Sequence, residues 1–405
     1  MQTKKNKVLL LPSFYPTIKN PIIGSQVYEQ TILLSDEFEF KVLFCLPGMG
    51  WKRFIVYYLF ELVGISKYNS CNESLMGNML DVNGIYYFNS KYFTYKKNTN
   101  LRIKAYKYLL NDLIRKGWKP DLIHARTAEY AGVHAAYLAK SFNIPFLLTE
   151  NCSFLITENI SVNRIKSYKY AIESADMTAV VSNYLKSFLL TNNFKCEPKV
   201  IGNLVDESVF NIQEKKTDIF TIVSIGYASY IKDWQTFFKA IEYLINFYNV
   251  KDFIVKICIT QVYDEYSKNY FSDQLKQYNI AEYCQLLFEV PRIEISKVFQ
   301  NSNVFVSTSI SETFGIACVE AMFCGIPVVA TDNGGINDYI NEQNGIKVLI
   351  RDYIGIANGI LSIKNEVTKF DPNLIRSSVL NKYSTINFKD QLSHLYRNTI
   401  NSITQ

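Results

Sequence analysis

Two glutamates, Glu312 and Glu320, are the side chains of this sequence best suited to hold a ligand that carries several hydroxyl groups. Glu312 stands in a polar loop after a β-branched run that ends near Thr308, and Glu320 falls on the second turn of a helix predicted to begin near Gly315. Each ionised carboxylate accepts strong hydrogen bonds, so the pair suits the hydroxyls of a sugar and a ribose. The alternative is that Glu312 only complements the helix dipole and that Glu320 is a solvated helix acid.

The start of the same helix predicts a site for an anion. Gly315 permits close approach of the backbone, and the first amides of a helix are free to bind a negative group. Lys232, in a glycine-containing loop after another strand, could neutralise a phosphate or could be a solvated loop lysine. Gly24, at a helix start after the first strand, is a further phosphate-friendly position. The turn Asp332-Asn-Gly-Gly335 either brings bare backbone to a ligand or is simply a loop.

Several motifs of other nucleotide and metal sites are missing from the sequence. It contains no G-x-G-x-x-G fingerprint, no Walker loop, no D-x-D and no His, Cys or Asp cluster with metal-ligand spacing. These absences argue against the usual dinucleotide-binding proteins and ATPases. A charged leaving group is therefore expected to be stabilised by Lys232 and helix amides, with neither a metal nor a cofactor.

The elements that must position these residues alternate between short β-branched runs and helical patterns, which indicates parallel α/β layers. Predicted strands are 8–11, 40–44, 122–124, 145–149, 177–181 and 200–201 in the first half, and 219–225, 253–259, 285–289, 304–308, 328–331 and 346–349 in the second. Predicted helices include 25–34, 102–116, 130–141, 234–248 and 316–323. Each half is therefore predicted to be a doubly wound domain that binds ligands at the carboxyl ends of its strands.

Length and charge divide the chain at the same place. The 405 residues, 48% apolar and 20% charged, exclude a disordered tail or a disulfide-stapled miniprotein and favour two domains. The connection 196–210 is rich in turn residues and puts the boundary near residue 200. The formal charge is +10 for residues 1–200 and −4 for the remainder. Either the first half faces a membrane surface, a phosphorylated acceptor or nucleic acid, or the difference is ordinary surface variation.

Two segments of the first half could touch a membrane. Residues 51–65 form an apolar run with a tryptophan and two cations at one end, too short to span a bilayer, and could equally be a plain buried helix. Residues 86–108 interleave aromatic and basic side chains, which fits membrane contact, a solvated charged face or single-stranded nucleic acid. Eight scattered cysteines without C-x-x-C spacing indicate free thiols in a reducing cytoplasm. An early apolar run broken at Pro12 argues against secretion.

The run Ser311-Glu-Thr-Phe-Gly-Ile-Ala-Cys-Val-Glu-Ala-Met-Phe-Cys-Gly-Ile-Pro-Val-Val-Ala-Thr-Asp-Asn-Gly-Gly335 resembles the E-x7-E signature of the retaining glycosyltransferases of family 4. Further matches extend over nearly the whole chain, among them Pro12-Ser-Phe-Tyr-Pro, Pro120-Asp-Leu-Ile-His124 and Asn203-Leu-Val-Asp206. The resemblance implies the GT-B architecture, two Rossmann-like domains that face a central cleft. It assigns residues 1–200 to the acceptor side, 201–385 to the nucleotide-sugar donor, and 386–405 to a helix that packs back on the first domain.

The resemblance also implies roles for single residues. Glu320 would bind the ribose, Glu312 would hold sugar hydroxyls near the reacting carbon, and Lys232 would stabilise the departing diphosphate. The remaining donor contacts would come from Gly24 on the phosphate side, from the amides of Phe314, Gly315 and Ile316, and from the backbone of residues 290–292, including Arg292, at the base. Retention without a metal is implied, by front-face attack in which the departing phosphate takes the acceptor proton.

Two positions depart from the family pattern. Tyr227 stands where the family usually has an arginine, and Asn151 stands where it often has a histidine on the acceptor side. An asparagine can bond a sugar hydroxyl but cannot transfer a proton. The leading expectation is transfer from a UDP- or GDP-sugar to a lipid-linked or oligosaccharide acceptor in bacterial surface polysaccharide synthesis. This would occur in the cytoplasm, with peripheral membrane contact through the first domain and no nucleic acid partner. The alternatives are a non-catalytic scaffold subunit and a transferase acting on a soluble glucan.

Overall fold

The computed structural model describes residues 4–18, 23–47, 80–87, 94–153, 156, 160–214, 218–260, 265–366 and 368–402. They form two α/β units, each built on a parallel sheet. The predicted fold class, two doubly wound domains, is confirmed. The apolar run 51–65 and residues 88–93 of the aromatic and basic segment lie outside the described residues.

The first half contains a sheet in the order β3-β2-β1-β4-β5-β6-β7. Its elements are β1 (Asn6–Pro12), α1 (Ser25–Leu33), β2 (Phe38–Pro47), β3 (Asp81–Tyr87), α2 (Tyr95–Arg115), β4 (Leu122–Arg126), an irregular turn (Ala128–Gly132), α3 (Val133–Phe142), β5 (Phe146–Glu150), α4 (Val162–Glu173), β6 (Met177–Val180), α5 (Asn183–Thr191) and β7 (Lys199–Val200). Every residue of β4 and β5 is buried, as expected for central parallel strands covered by helices on both faces.

The second half contains a sheet in the order β10-β9-β8-β11-β12-β13. Its elements are β8 (Phe220–Gly226), a 3-10 turn (Tyr230–Lys232), α6 (Trp234–Asn246), β9 (Phe253–Ile259), α7 (Glu265–Gln277), a second 3-10 turn (Ala281–Tyr283), β10 (Cys284–Phe288), α8 (Arg292–Gln300), β11 (Val304–Ser307), α9 (Ile316–Phe323), β12 (Val328–Thr331), a third 3-10 turn (Gly335–Asp338), β13 (Gly345–Val348), α10 (Tyr353–Lys364), α11 (Pro372–Tyr383) and α12 (Thr385–Asn401).

Strand order reverses in both sheets beside the first strand of each half, where β1 meets β4 and β8 meets β11. Sheets of this kind bind ligands at that point, outside the carboxyl ends of the strands. The segments that follow β8 and β11 carry Lys232 and Glu312, and those that follow β1 and β5 carry Gly24 and Asn151. The topology therefore collects the predicted site residues at the facing edges of the two sheets.

Two elements differ from the sequence pattern. Strand β3 was not predicted because Asn83 and Gly84 are unfavourable in strands, yet it pairs with β2 along its whole length. Helix α2 begins at Tyr95, well before the predicted residue 102, because Thr94 caps it. The Thr94 hydroxyl accepts a hydrogen bond from the amide of Lys97 at 3.3 Å. The first turns of this helix are lysine-rich and carry no apolar stripe that a sequence pattern could detect.

The last helix, α12, packs on the sheet of the first half. Phe388 and Tyr396 are buried in the same core as Phe38 of β2. The Tyr396 and Phe38 rings meet edge to face with centroids 5.0 Å apart, and the Tyr396 hydroxyl lies 2.8 Å from Nδ1 of His124. Burial of each such side chain stabilises the packing by about 1.5–3 kcal/mol. None of the described helices has the length and apolar character needed to cross a bilayer.

Candidate active site

A cavity of about 630 Å³ is lined by residues from both halves. Cavities of this size hold small-molecule ligands. Its lining contains these predicted site residues: Asn151, Lys232, Arg292, Glu312, Phe314, Gly315, Ile316 and Glu320. Gly24 is not part of the lining, but it immediately precedes Ser25, which is. The structure thus brings the residues singled out in the sequence to one place or to its border.

One end of the cavity is organised by an ion pair within the second half. Nζ of Lys232 lies 2.5 Å from Oε1 of Glu312, and the Ser309 hydroxyl donates to the same oxygen at 2.8 Å. The Thr308 hydroxyl donates to the Lys232 carbonyl at 3.0 Å and fixes the loop after β8. Burial lowers the pKa of Lys232, but the Glu312 carboxylate more than compensates and the pKa is raised above its usual value. The ammonium group therefore stays charged inside the cavity.

The Glu312 loop rests on the double glycine that follows β12. The Gly335 amide donates to the Glu312 carbonyl at 2.9 Å, and the Glu312 amide donates to the Asn333 carbonyl at 3.3 Å. A Cβ atom at Gly335 would lie 2.5 Å from the Glu312 carbonyl oxygen and 2.6 Å from the Phe314 nitrogen. The backbone contact therefore requires glycine, and the Asp332–Gly335 turn supports the site from behind without lining the cavity.

The N-terminus of α9 opens on the cavity. Gly315 precedes the helix with φ 81°, in the left-handed region, and a Cβ there would lie 2.7 Å from the Tyr339 hydroxyl. That hydroxyl donates to the Phe314 carbonyl at 2.6 Å. The Phe314 side chain is buried against Tyr383, with ring centroids 5.0 Å apart. Phe314 can therefore offer a ligand only its backbone, as the first-turn amides of a helix also do.

The other end of the cavity is organised by Arg292, the first residue of α8. Its Nε donates to Oε1 of Glu320 at 3.0 Å, and its Nη1 donates to Oε2 of Glu29 at 2.5 Å. Burial raises the pKa of Glu320, although Arg292 acts to lower it. Burial lowers the pKa of Arg292, but Glu320 and Glu29 outweigh it and the net change is upward. Here the side chain of Arg292, and not only its backbone, belongs to the site.

The two positions that depart from the family pattern both line the cavity. The Asn151 carbonyl accepts a hydrogen bond from Thr313 at 2.9 Å, which joins the two halves. Asn151 is placed by the buried Glu150, whose carboxylate accepts from the amides of Asn151 and Cys152 at 2.8 and 2.7 Å. Burial raises the pKa of Glu150 to about 7 against these hydrogen bonds. Tyr227 follows β8, and its carbonyl accepts from the Trp234 indole at 2.9 Å.

Two charged residues of the first half were missed by the sequence reasoning. Glu29 lies on α1, lines the cavity and pairs with Arg292. Arg126 ends β4 with only 2% of its surface exposed, and its Nε and Nη2 have no hydrogen-bond partner among the described residues. Burial lowers the pKa of Arg126 to about 10, so it stays charged at neutral pH. The sequence signal that could have revealed Arg126 is a basic residue at the end of a mostly apolar strand.

No group of three or more His, Cys, Asp and Glu side chains in the described part of the chain is arranged to hold a metal ion. Metal independence stays a prediction.

Comparison with known proteins gives two adjoining family matches. Residues 77–209 match the model of Glycosyltransferase Family 4, and residues 205–371 match that of Glycosyl transferases group 1. An uncharacterized glycosyltransferase from Methanocaldococcus jannaschii is 27% identical over 285 residues, 69% of this chain and 69% of that protein. A 2-deoxystreptamine N-acetyl-D-glucosaminyltransferase from Niallia circulans is 24% identical, with 55% of this chain and 57% of that protein covered.

Solved structures with the same fold cover almost the entire chain. Sucrose-phosphate synthase from Thermosynechococcus elongatus superposes with a TM-score of 0.76 at 16% identity, covering 98% of this chain and 100% of its own. HepE from Anabaena, in complex with UDP-glucose, superposes with a TM-score of 0.70 at 16% identity, covering 97% and 99%. By its two matched domains and its fold, the chain is a GT-B glycosyltransferase with a family 4 domain followed by a group 1 domain.

Proposed function

We propose that the protein transfers a sugar from a nucleotide-sugar donor to a phosphate-bearing, membrane-held acceptor, with retention of anomeric configuration. The observation that carries the proposal is the cavity itself, with Lys232 and Glu312 at one end, Glu320 at the other and the start of α9 between them. The ribose would bind Glu320, and the diphosphate would lie between Lys232 and the helix amides. The sugar would then meet Glu312 and the backbone of residues 314–316.

In the proposed step, the acceptor oxygen forms a bond to the anomeric carbon as the bond from that carbon to the phosphate oxygen breaks. The attack is on the same face from which the diphosphate leaves, and the acceptor proton passes to the departing phosphate. Lys232 stabilises the charge on the leaving group, while Glu312 orients the sugar hydroxyls. Such a site acts by positioning and charge stabilisation, with single preorganised groups contributing about 10²–10³-fold in rate.

The acceptor is proposed from the charge of the first half. Residues 94–173 carry 13 Lys and Arg against six Asp and Glu. Helix α4 exposes Val162 and Ile165 beside Lys166. An apolar and basic surface of this kind favours an anionic membrane. The curated relatives include a human phosphatidylinositol N-acetylglucosaminyltransferase subunit, 23% identical over 68% of this chain. We place the reaction in bacterial surface polysaccharide synthesis, at the inner face of the cytoplasmic membrane.

The proposal is tested with the purified full chain and a panel of UDP- and GDP-sugars. We expect slow donor hydrolysis or transfer with one donor, with the product anomer identified by NMR, and we expect Glu312→Gln to abolish it. Glu294→Gln is the matched control, because Glu294 pairs with Lys297 in solvent on α8. Inversion at the anomeric carbon, or full activity in Glu312→Gln, would contradict the mechanism.

Two further measurements separate the alternatives. Calorimetry that detects neither UDP nor GDP binding at millimolar concentration would favour a scaffold subunit. Flotation with liposomes tests the acceptor side: binding to anionic but not to zwitterionic vesicles is expected. Absence of binding to both would favour a soluble acceptor, such as the 2-deoxystreptamine in the name of the Niallia circulans relative.

A further inference from the structure

The arginine at the Glu320 end of the cavity is held in an unusual way. Nε of Arg292 donates to Glu320 Oε1, and Nη1 donates to Glu29 Oε2. Nη2 also lies 2.8 Å from Glu320 Oε1, but it is buried and donates no hydrogen bond among the described residues. The guanidinium group is thus anchored at two nitrogens and keeps a third donor unused.

The carboxylate beside it is used on one side only. Both contacts from Arg292 go to Oε1 of Glu320, and Oε2 has no partner in the described part of the chain. Glu320 is 7% exposed and lines the cavity. A buried donor that makes no hydrogen bond therefore stands next to a carboxylate oxygen without a partner in the described part of the chain. A buried donor is costly to leave unpaired, so the site suits a ligand that offers an acceptor to Nη2 of Arg292 and a donor to Oε2 of Glu320.

A vicinal diol supplies that match. Each hydroxyl group donates one hydrogen bond and accepts others, so one hydroxyl of a ribose can donate to Glu320 Oε2 while it or its neighbour accepts from Arg292 Nη2. Hydrogen bonds to a charged group are stronger than neutral ones. A deoxyribose lacks one of the two hydroxyls and would leave either Nη2 of Arg292 or Oε2 of Glu320 without a partner.

Glu29 explains why Oε2 stays available. An arginine next to a lone carboxylate usually binds both oxygens with two parallel hydrogen bonds. Glu29, which comes from α1 of the first half, holds Nη1 and so prevents Arg292 from turning onto both oxygens of Glu320. The Glu29 side chain is 38% exposed, so its removal leaves little buried charge behind.

We infer that Arg292 binds the ribose together with Glu320, and that Glu29 is a positioning residue which keeps Arg292 in the orientation that selects ribonucleotides over deoxyribonucleotides. The inference rests on the proposed function, in which Glu320 faces the ribose of the donor. It adds that recognition of the donor requires a side chain from the first half. Nucleotide affinity should consequently depend on how the two halves meet.

The test compares UDP with 2′-deoxy-UDP and 3′-deoxy-UDP by calorimetry on the full chain. The natural protein should bind UDP at least about 10-fold more tightly than one of the deoxy analogues, because a site built for a hydroxyl rejects a ligand that lacks it. Arg292→Lys retains charge but not the fork of donors, and should remove most of this preference. Glu29→Ala should lower the preference for UDP over the deoxy analogue to about threefold, by weakening the binding of UDP alone. Glu29→Gln keeps one acceptor oxygen, so its preference should lie between those of Glu29→Ala and the natural protein.

Kinetics give a second readout that a merely structural role would not move. Glu29→Ala should raise KM for the nucleotide-sugar and leave kcat unchanged, because the Lys232 end is not altered. The control Glu294→Gln should change neither the deoxy preference nor KM. Equal binding of UDP and both deoxy analogues to the natural protein would overturn the inference, and an undiminished preference in Glu29→Ala would overturn the role of Glu29. If the natural protein binds neither UDP nor GDP, the proposed function itself fails.

Discussion

The two ends of the cavity hold their charges in different ways. Among the residues that the structure describes, Lys232 forms an ion pair with Glu312 alone. Both come from the second half, and their charges cancel. Arg292 is shared between Glu320 of the second half and Glu29 of the first. The two carboxylates and one guanidinium group leave one negative charge in excess. The first arrangement is complete within one domain, whereas the second exists only when the two halves meet. The difference teaches that the Lys232 end is preorganised by its own sheet, while the Arg292 end also depends on the contact between the two halves.

The largest expected effect comes from breaking the self-contained pair. Lys232→Gln should lower kcat about 10²–10³-fold, because the leaving diphosphate loses its cation and Glu312 loses its partner. Initial rates with the active nucleotide-sugar measure this. The matched control is Lys239→Gln, since Lys239 is exposed on α6 and does not line the cavity. A change confined to KM would show that Lys232 only binds the donor and would remove the distinction between the two ends.

A smaller effect should follow from disturbing the support of Glu312 without touching a charge. Gly335→Ala places a Cβ atom 2.5 Å from the Glu312 carbonyl oxygen, so the loop must shift. We expect a loss of about 1–3 kcal/mol in the free energy of unfolding, measured in urea, and a fall in kcat of about 10-fold. The dissociation constant of UDP should stay within about twofold, because Arg292 and Glu320 lie at the other end.

Gly117→Ala is the control for that substitution. Gly117 also resists replacement, with φ 83°, but its Cβ would meet nothing within 4 Å. It should cost about 1 kcal/mol of stability and no activity. A parallel loss of UDP affinity in Gly335→Ala would mean that the two ends of the cavity are coupled more closely than the contacts indicate.

The same comparison shows which parts of the site can be predicted from sequence. Glu312 and Glu320 lie in one short run, on a loop and the helix that follows it, so local pattern and resemblance find both. The partner of Arg292 cannot be found in this way, because Glu29 is 263 residues away along the chain and meets it only through packing of the two halves. Gly335 supports Glu312 through a contact between two loops. A glycine in the sequence does not reveal which loop it contacts, so this support could not be predicted either.

The fold was predictable where burial is uniform and less so where it is not. The central strands are continuous apolar runs, and most were placed within a residue or two. Strand β3 lies at the sheet edge with an exposed Asp81, and the turn after β4 holds Thr127 and Tyr130 at φ 75° and 56°. Positive φ in such residues is imposed by the surrounding structure and leaves no mark in composition. Residues 130–132 were accordingly predicted as helix, but they belong to the irregular turn before α3.

The smallest expected effect is the pH dependence of donor binding, which should reflect titration at the Glu320 end of the cavity and not at the Lys232 end. Burial raises the pKa of Glu320, with Glu29 acting in the same direction and Arg292 against it. Glu320 therefore takes up a proton as the pH falls toward that raised pKa and loses the charge with which it accepts a ribose hydroxyl. The pKa of Lys232 is raised from an already basic value, so the Lys232 ammonium group stays charged over the same range. As the pH is lowered toward the raised pKa of Glu320, affinity for a UDP-sugar should fall about three- to tenfold.

A UDP-sugar is the right probe for that titration, because its diphosphate is esterified at both ends and does not titrate in this range, whereas free UDP does. Glu320→Gln cannot ionise, so its weaker affinity should be flat over the same interval. Glu29→Gln removes the charge that adds to burial in raising the pKa of Glu320, and should move the fall in affinity to lower pH. A pH profile that persists in Glu320→Gln would assign the titration to another group, and the excess negative charge at the Arg292 end would then have no part in donor binding.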